Sequence, residues 1–204
     1  ALGTPVYGEQ YYHRFFGPTN YSYNIGKVHV VTLKNINYVG HKKYIEAITD
    51  ADLEWLKRDL SFIPKGSLVF LNMHAAVWNS IENEGNVRNA GDLADVLKDY
   101  QVHVLTGHTH YFQNNAVDAQ LMEHNIGAAC GAWWKSQVNR CGAPNGYLVM
   151  DVDGTQLKWH YKSTGHGMDY QMRVYGKGDM LSQPQYVVAN VWDWDPACKV
   201  EWLQ

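Results

Sequence analysis

Val102-His103-Val104-Leu105-Thr106-Gly107-His108-Thr109-His110 reads as a short apolar β-strand running straight into a histidine pair. Such an apolar run is typical of a strand buried on both faces of a sheet. The glycine at its end permits a sharp turn and a close approach by another group. Two imidazoles two residues apart point to one side, and neutral imidazole is the commonest metal ligand at physiological pH. A second run, 68–73, ends in the same way at His74. Between the two lie a polar loop over 79–91 and a helix over 92–100 carrying Leu93, Val96 and Leu97. Strand, loop, helix, strand is the pattern of a layered α/β fold, in which ligands gather at strand carboxyl ends. The expected fold class is α/β (α+β).

Upstream, residues 21–33 read as two strands joined by a turn at Asn24-Ile25-Gly26-Lys27, with His29 a strand residue facing a polar partner. A helix follows: Thr49 is its N-cap, Asp50 and Asp52 suit its positive end, and Leu53, Leu56, Leu60 and Ile63 form one apolar stripe. Pro64-Lys65-Gly66 stops it. From Asn125 onward the texture is all-β. Residues 147–161 form a hairpin turning at Asp153-Gly154, and strands are expected over 186–191 and 199–202. This divides the chain into 1–124 and a mostly β region, 125–204.

Composition narrows the function. A 46% hydrophobic and 18% charged chain is globular rather than disordered. A net charge of −3, with no basic cluster beyond His41-Lys42-Lys43, gives no face for nucleic acid. No stretch approaches the roughly 18 apolar residues of a membrane span. Cys130, Cys141 and Cys198 form no C-x-x-C pair; Cys130 and Cys141 are either a local disulfide or buried free thiols. The 8 tryptophans and 14 tyrosines suit core packing, or a cleft facing carbohydrate or lipid. A hydrolytic metal centre normally adds carboxylates, yet D-x-H, G-D-x-x-D and G-N-H-[DE] are all absent.

Several segments, in this order, resemble the calcineurin-like metallophosphoesterases, and more narrowly their bacterial members with a C-terminal β domain. They are Phe15-Phe16-Gly17-Pro18 with Tyr21-Ser22-Tyr23-Asn24-Ile25-Gly26, His74 at a strand end, and Gly107-His108-Thr109-His110. Gly131-Ala132-Trp133-Trp134, Gly142-Ala143-Pro144-Asn145-Gly146-Tyr147, Tyr161-Lys162-Ser163-Thr164-Gly165 and Ala189-Asn190-Val191-Trp192-Asp193-Trp194-Asp195 extend the likeness. The resemblance implies the second half of a two-sheet αββα sandwich over 1–124, followed by the accessory β region. It also implies a centre of two divalent ions (Mn, Fe or Zn) that hydrolyses a small phosphate ester. His74 and His108 would ligate one ion and His110 the other. Trp133 and Trp134 would line the substrate cleft, and Asn72 and Gly107 would support the ligands from behind. Two departures stand out: His74-Ala75-Ala76 lacks the proline frequent in that motif, and Lys34 replaces an acidic residue.

The carboxylate motifs of the family would lie upstream of Ala1, so the chain alone is expected to be inactive, with one ion or none bound. A half-domain is also expected to expose strand edges and self-associate. The aromatic-rich C-terminal region suggests an exported bacterial protein. The alternative reading is a non-catalytic glycan- or envelope-binding module with remnant metal-site residues. A third is a hydrolase with a single zinc on His74, His108 and His110.

Overall fold

The computed structural model describes residues 6–81 and 86–203. Residues 82–85, within the loop expected over 79–91, fall outside that range. In chain order the elements are α1 (Val6–Phe16), β1 (Tyr21–Ile25), β2 (Val28–Thr32), β3 (Ile36–Gly40), β4 (Lys43–Glu46), α2 (Asp50–Leu60), β5 (Leu68–Ala75) and α3 (Ala90–Leu97). There follow β6 (Gln101–Gly107), β7 (Gln113–Ala116), β8 (Leu121–Asn125), β9 (Gly146–Asp153), β10 (Gln156–Ser163), β11 (Met172–Tyr175) and β12 (Val188–Val191). The class is mixed α/β, as the sequence suggested.

One sheet organises the chain, in the order β1-β2-β5-β6-β8-β7. Its four inner strands are parallel, and β1 and β7 run antiparallel at the two edges. On one face Val31, Val69, Leu71, Val102, Val104 and Leu121 pack with Leu53, Leu56 and Leu60 of α2 and Leu93 and Leu97 of α3. Each such leucine buried from water contributes about 1.5–3 kcal/mol. α2 begins where the sequence placed it: the Asp52 amide donates to Thr49 Oγ1 at 3.1 Å. His29 points into this layer too, its ring bonded to Asn24 Oδ1 and Asp59 Oδ2, both at 2.8 Å.

The opposite face carries Val28, Val30, Leu68 and Phe70. There the β9–β10 hairpin packs, with Trp159 lying 5.0 Å from the ring of His124 and 5.5 Å from that of His103. A second small core of Phe112, Ala143, Tyr161 and Trp192 ties the C-terminal region together.

Several expectations need correction. The helix expected over 92–100 starts at Ala90 and ends at Leu97, because Asn89 brackets Ile48 with both arms of its amide and so sets the entry. The hairpin turns at Gly154-Thr155 rather than Asp153-Gly154, since Asp153 pairs with Gln156 and the left-handed residue, Gly154 (φ 65°), comes first in the loop. No strand forms over 199–202. The chain folds back on Asp195 Oδ1, which takes the amides of Ala197 and Cys198. Of the two readings open for Cys130 and Cys141, the free thiols hold: all three cysteines are free, and Cys141 Sγ faces the Phe112 amide at 3.2 Å. α1, β3, β4, β7, β8 and β11 lie where no element was expected, and the strands among them are only four or five residues long. Among the described residues, no helix is long and apolar enough to cross a membrane.

Candidate functional site

β5 and β6 are parallel neighbours, so their carboxyl ends open at the same edge of the sheet, with Ala75 opposite Gly107. His74 lies at the end of β5 and His108 directly follows β6. The backbone at His74 is fixed by a buried amide. Asn35 Oδ1 accepts from the amides of His74 (3.2 Å) and Ala75 (3.0 Å), and its Nδ2 donates to the Ala75 carbonyl at 2.7 Å. This side chain completes the edge of β5 where β2 has already ended.

Beyond β6 the chain bends tightly. Thr109 is buried, its amide donating to the Gly107 carbonyl and its hydroxyl taking Asn125 Nδ2 at 2.5 Å. The bend is made by the histidines and not, as the sequence suggested, by the glycine. His108 (φ 70°) and His110 (φ 58°) are left-handed. Gly107 is not, and a Cβ there would make only an ordinary contact, 3.7 Å from the Ile126 carbonyl. A left-handed non-glycine residue costs roughly 1–2 kcal/mol, strain that tends to be held at functional sites.

His74 and His108 meet: Nε2 of the first is 2.9 Å from Nδ1 of the second. On its other side His108 Nε2 faces the Tyr44 hydroxyl at 3.1 Å and Glu46 Oε1 at 3.3 Å. Burial, followed by the nearby His108 and His110, holds the His74 pKa below its ordinary value and so favours the neutral imidazole. His110 turns elsewhere. Its Nδ1 donates to the Gly131 carbonyl at 2.9 Å, and its ring stacks on Trp133 with centroids 4.8 Å apart and planes at 18°. Trp133 and Trp134 are themselves left-handed (φ 50° and 62°). Trp134 is 88% exposed and stands away from the histidines' contacts. The Arg140 guanidinium lies 4.6 Å from the Tyr111 ring centroid and 5.6 Å from that of Trp133. Asn72 lines a 330 Å³ cleft beside His74, together with Tyr12, Thr19 and Lys34, whose ammonium is paired with Glu9 at 2.6 Å.

Two imidazoles converging at one point are donors of the kind a borderline divalent ion takes. Among the described residues, however, no three His, Cys, Asp or Glu side chains come together in an arrangement that holds a metal. His74 and His108 thus stand together as a pair, with His110 held apart against Gly131 and Trp133. The sequence reading missed Tyr44, Glu46, Asn35 and Arg140. Their only signal is spatial: β4 reaches the histidines through the β3–β4 hairpin, which carries no motif of its own.

A layered α/β chain with imidazoles paired at parallel strand ends is the class that fold and site define. Residues 123–204 match a family model described as the C terminal of calcineurin-like phosphoesterase. The match begins inside β8, the last parallel strand of the main sheet. No curated protein matches the chain.

Proposed function

We propose that this chain contributes part of the active centre of a metal-dependent phosphoesterase. The observation that carries the reading is the 2.9 Å approach of His74 Nε2 to His108 Nδ1 at the carboxyl ends of adjacent parallel strands, in a chain whose C-terminal part has a phosphoesterase relationship. In such enzymes bound divalent ions neutralise phosphate charge and activate water for attack on phosphorus. His74 and His108 would hold one ion. His110 would serve the neighbouring position, its Nδ1–H fixed on the Gly131 carbonyl and its Nε2 left as the ligating nitrogen. Trp133 and Arg140 form a wall suited to the organic part and the anionic charge of an ester. The remaining ligands, carboxylates above all, would come from groups other than those of residues 6–81 and 86–203.

The test is hydrolysis of a chromogenic phosphodiester, with manganese, by a protein containing this chain and its upstream sequence. Turnover should be abolished by a chelator and fall at least about a hundredfold in a His74→Ala, His108→Ala variant. Equal rates in the two proteins would sink the reading. The isolated chain should show little or no turnover.

A second reading has its own support. A 570 Å³ cleft between β7 and the segment after β12 is lined by Trp78, Trp192, Trp194, Gln113 and Asn115, with no charged residue among the described residues that line it. Aromatic faces flanked by amides suit a neutral glycan. Glycan binding that survives chelation and is lost in Trp194→Ala would favour a binding module.

A further inference from the structure

We infer that Glu46 is the positioning residue for His108, keeping the ring hydrogen on Nε2 so that Nδ1 presents its lone pair beside His74 for a divalent ion. This rests on the phosphoesterase reading above and adds to it a carboxylate that no sequence motif supplies.

The geometry assigns the two ring nitrogens different tasks. Nδ1 faces His74 at 2.9 Å, whereas Nε2 faces Glu46 Oε1 at 3.3 Å and the Tyr44 hydroxyl at 3.1 Å. An ionised carboxylate only accepts, so the nitrogen turned towards it bears the hydrogen. A tyrosine hydroxyl can accept from the same N–H, and the Tyr44 ring meets the imidazole edge-on at 87°, which fixes its plane. With Nε2 protonated, Nδ1 is left as the acceptor, taking the Nε2–H of His74 at 2.9 Å. Metal-ligating histidines are oriented in this way, with the second nitrogen donating to a carboxylate or carbonyl.

Glu46 is built to stay in place. Its side chain is only 20% exposed, and its ion-pair partner is His108. Its carbonyl takes the Arg88 amide at 3.1 Å. The next residue, Ala47, is held at both backbone groups: its amide donates to the Asn35 carbonyl at 3.1 Å, and its carbonyl accepts from Asn37 Nδ2 at 2.6 Å. Asn35 is also the residue that clamps the backbone at His74. One short segment thus registers the carboxylate and the first imidazole against each other, which a casual surface ion pair would not require.

The experiment uses a protein containing this chain and its upstream sequence, in two measurements. In the metal-free protein, nitrogen-15 chemical shifts of the histidine rings report which His108 nitrogen carries hydrogen. The wild type should show the Nε2–H form, and Glu46→Ala should move it towards Nδ1–H. Zinc affinity, measured by competition with a chromogenic chelator, should fall about tenfold or more in Glu46→Ala and less in Glu46→Gln, which keeps the shape and one acceptor. His108 found as Nδ1–H in the wild type overturns the inference. Unchanged zinc affinity in both variants overturns it while leaving the metal reading intact. Zinc binding that is absent, or identical in the wild type and His74→Ala, overturns both.

Discussion

The carboxylate of Glu123, fully buried on β8, holds the backbone just beyond His74: Oε1 accepts the Val77 amide at 2.7 Å and Oε2 the Trp78 amide at 2.8 Å. Oε1 also takes the Thr106 hydroxyl at 2.8 Å, one residue before Gly107. One side chain therefore joins the segments that present both histidines. Glu123→Ala would leave these donors buried without a partner, at about 1–3 kcal/mol for each group. A total loss of about 3 kcal/mol or more is expected in urea unfolding, and roughly half that for Glu123→Gln. A loss below about 1 kcal/mol in Glu123→Ala would show that the link is dispensable.

Acid should weaken the docking of the β9–β10 hairpin. Asn114 Nδ2 donates to Asp193 Oδ1, so its Oδ1 accepts from His124 Nδ1 and leaves His124 Nε2 to accept from His103 Nδ1 at 2.9 Å. Burial pushes His103 down to about 4. Burial, followed by the neighbouring His103, pushes His124 down to about 3. Unfolded imidazoles take protons near 6.5, so below that pH the unfolded chain binds protons that the folded chain refuses. Stability is then complete above 6.5 and declines as pH falls towards 4, by roughly 1.4 kcal/mol per unit for each ring. Urea midpoints between pH 7.5 and 4.5 measure the slope, which should drop by about half in His103→Leu. A flat profile would contradict the buried neutral pair.

Gly131→Ala tests whether the loop places Trp133. Gly131 is left-handed (φ 66°), and an added Cβ would run into the Ser136 carbonyl and come 2.6 Å from Asn145 Oδ1. The loop must shift, withdrawing the carbonyl that holds His110 and unstacking Trp133. The expected cost is about 2 kcal/mol or more, with a change in tryptophan fluorescence. An unaltered spectrum in a stable variant would show that the stacking does not depend on this turn.

Self-association should run through β1. Among the described residues it pairs with β2 only, and Tyr21, Tyr23 and Ile25 are exposed along one face, with the two tyrosine rings 6.3 Å apart. An uncharged edge of this kind invites another strand. Sedimentation should show an average mass rising with concentration, and Tyr23→Lys with Ile25→Lys should suppress the rise. A concentration-independent monomer in the unsubstituted chain would exclude this edge as a contact.

Much of the scaffold was legible in local pattern. The Thr49 cap, the Leu53/Leu56/Leu60 stripe and the apolar runs of β5 and β6 each express a periodicity or a capping preference contained within a few residues. The polar strands β7 and β8 escaped notice because the donors and acceptors of Asn114, Glu123 and His124 find their partners only across the assembled sheet.

The same division runs through the candidate site. The identity of the three imidazoles, and the strand ends that carry two of them, were written in the chain order, because a strand followed by glycine and histidine is a local signal. Which imidazoles meet was not. The parallel pairing of β5 with β6 joins His74 to His108, the turn at Gly131 draws His110 aside, and a separate hairpin brings Glu46 to the pair. Contacts between residues far apart in sequence exist only once loops have closed and the sheet has chosen its register, and no linear motif encodes that choice.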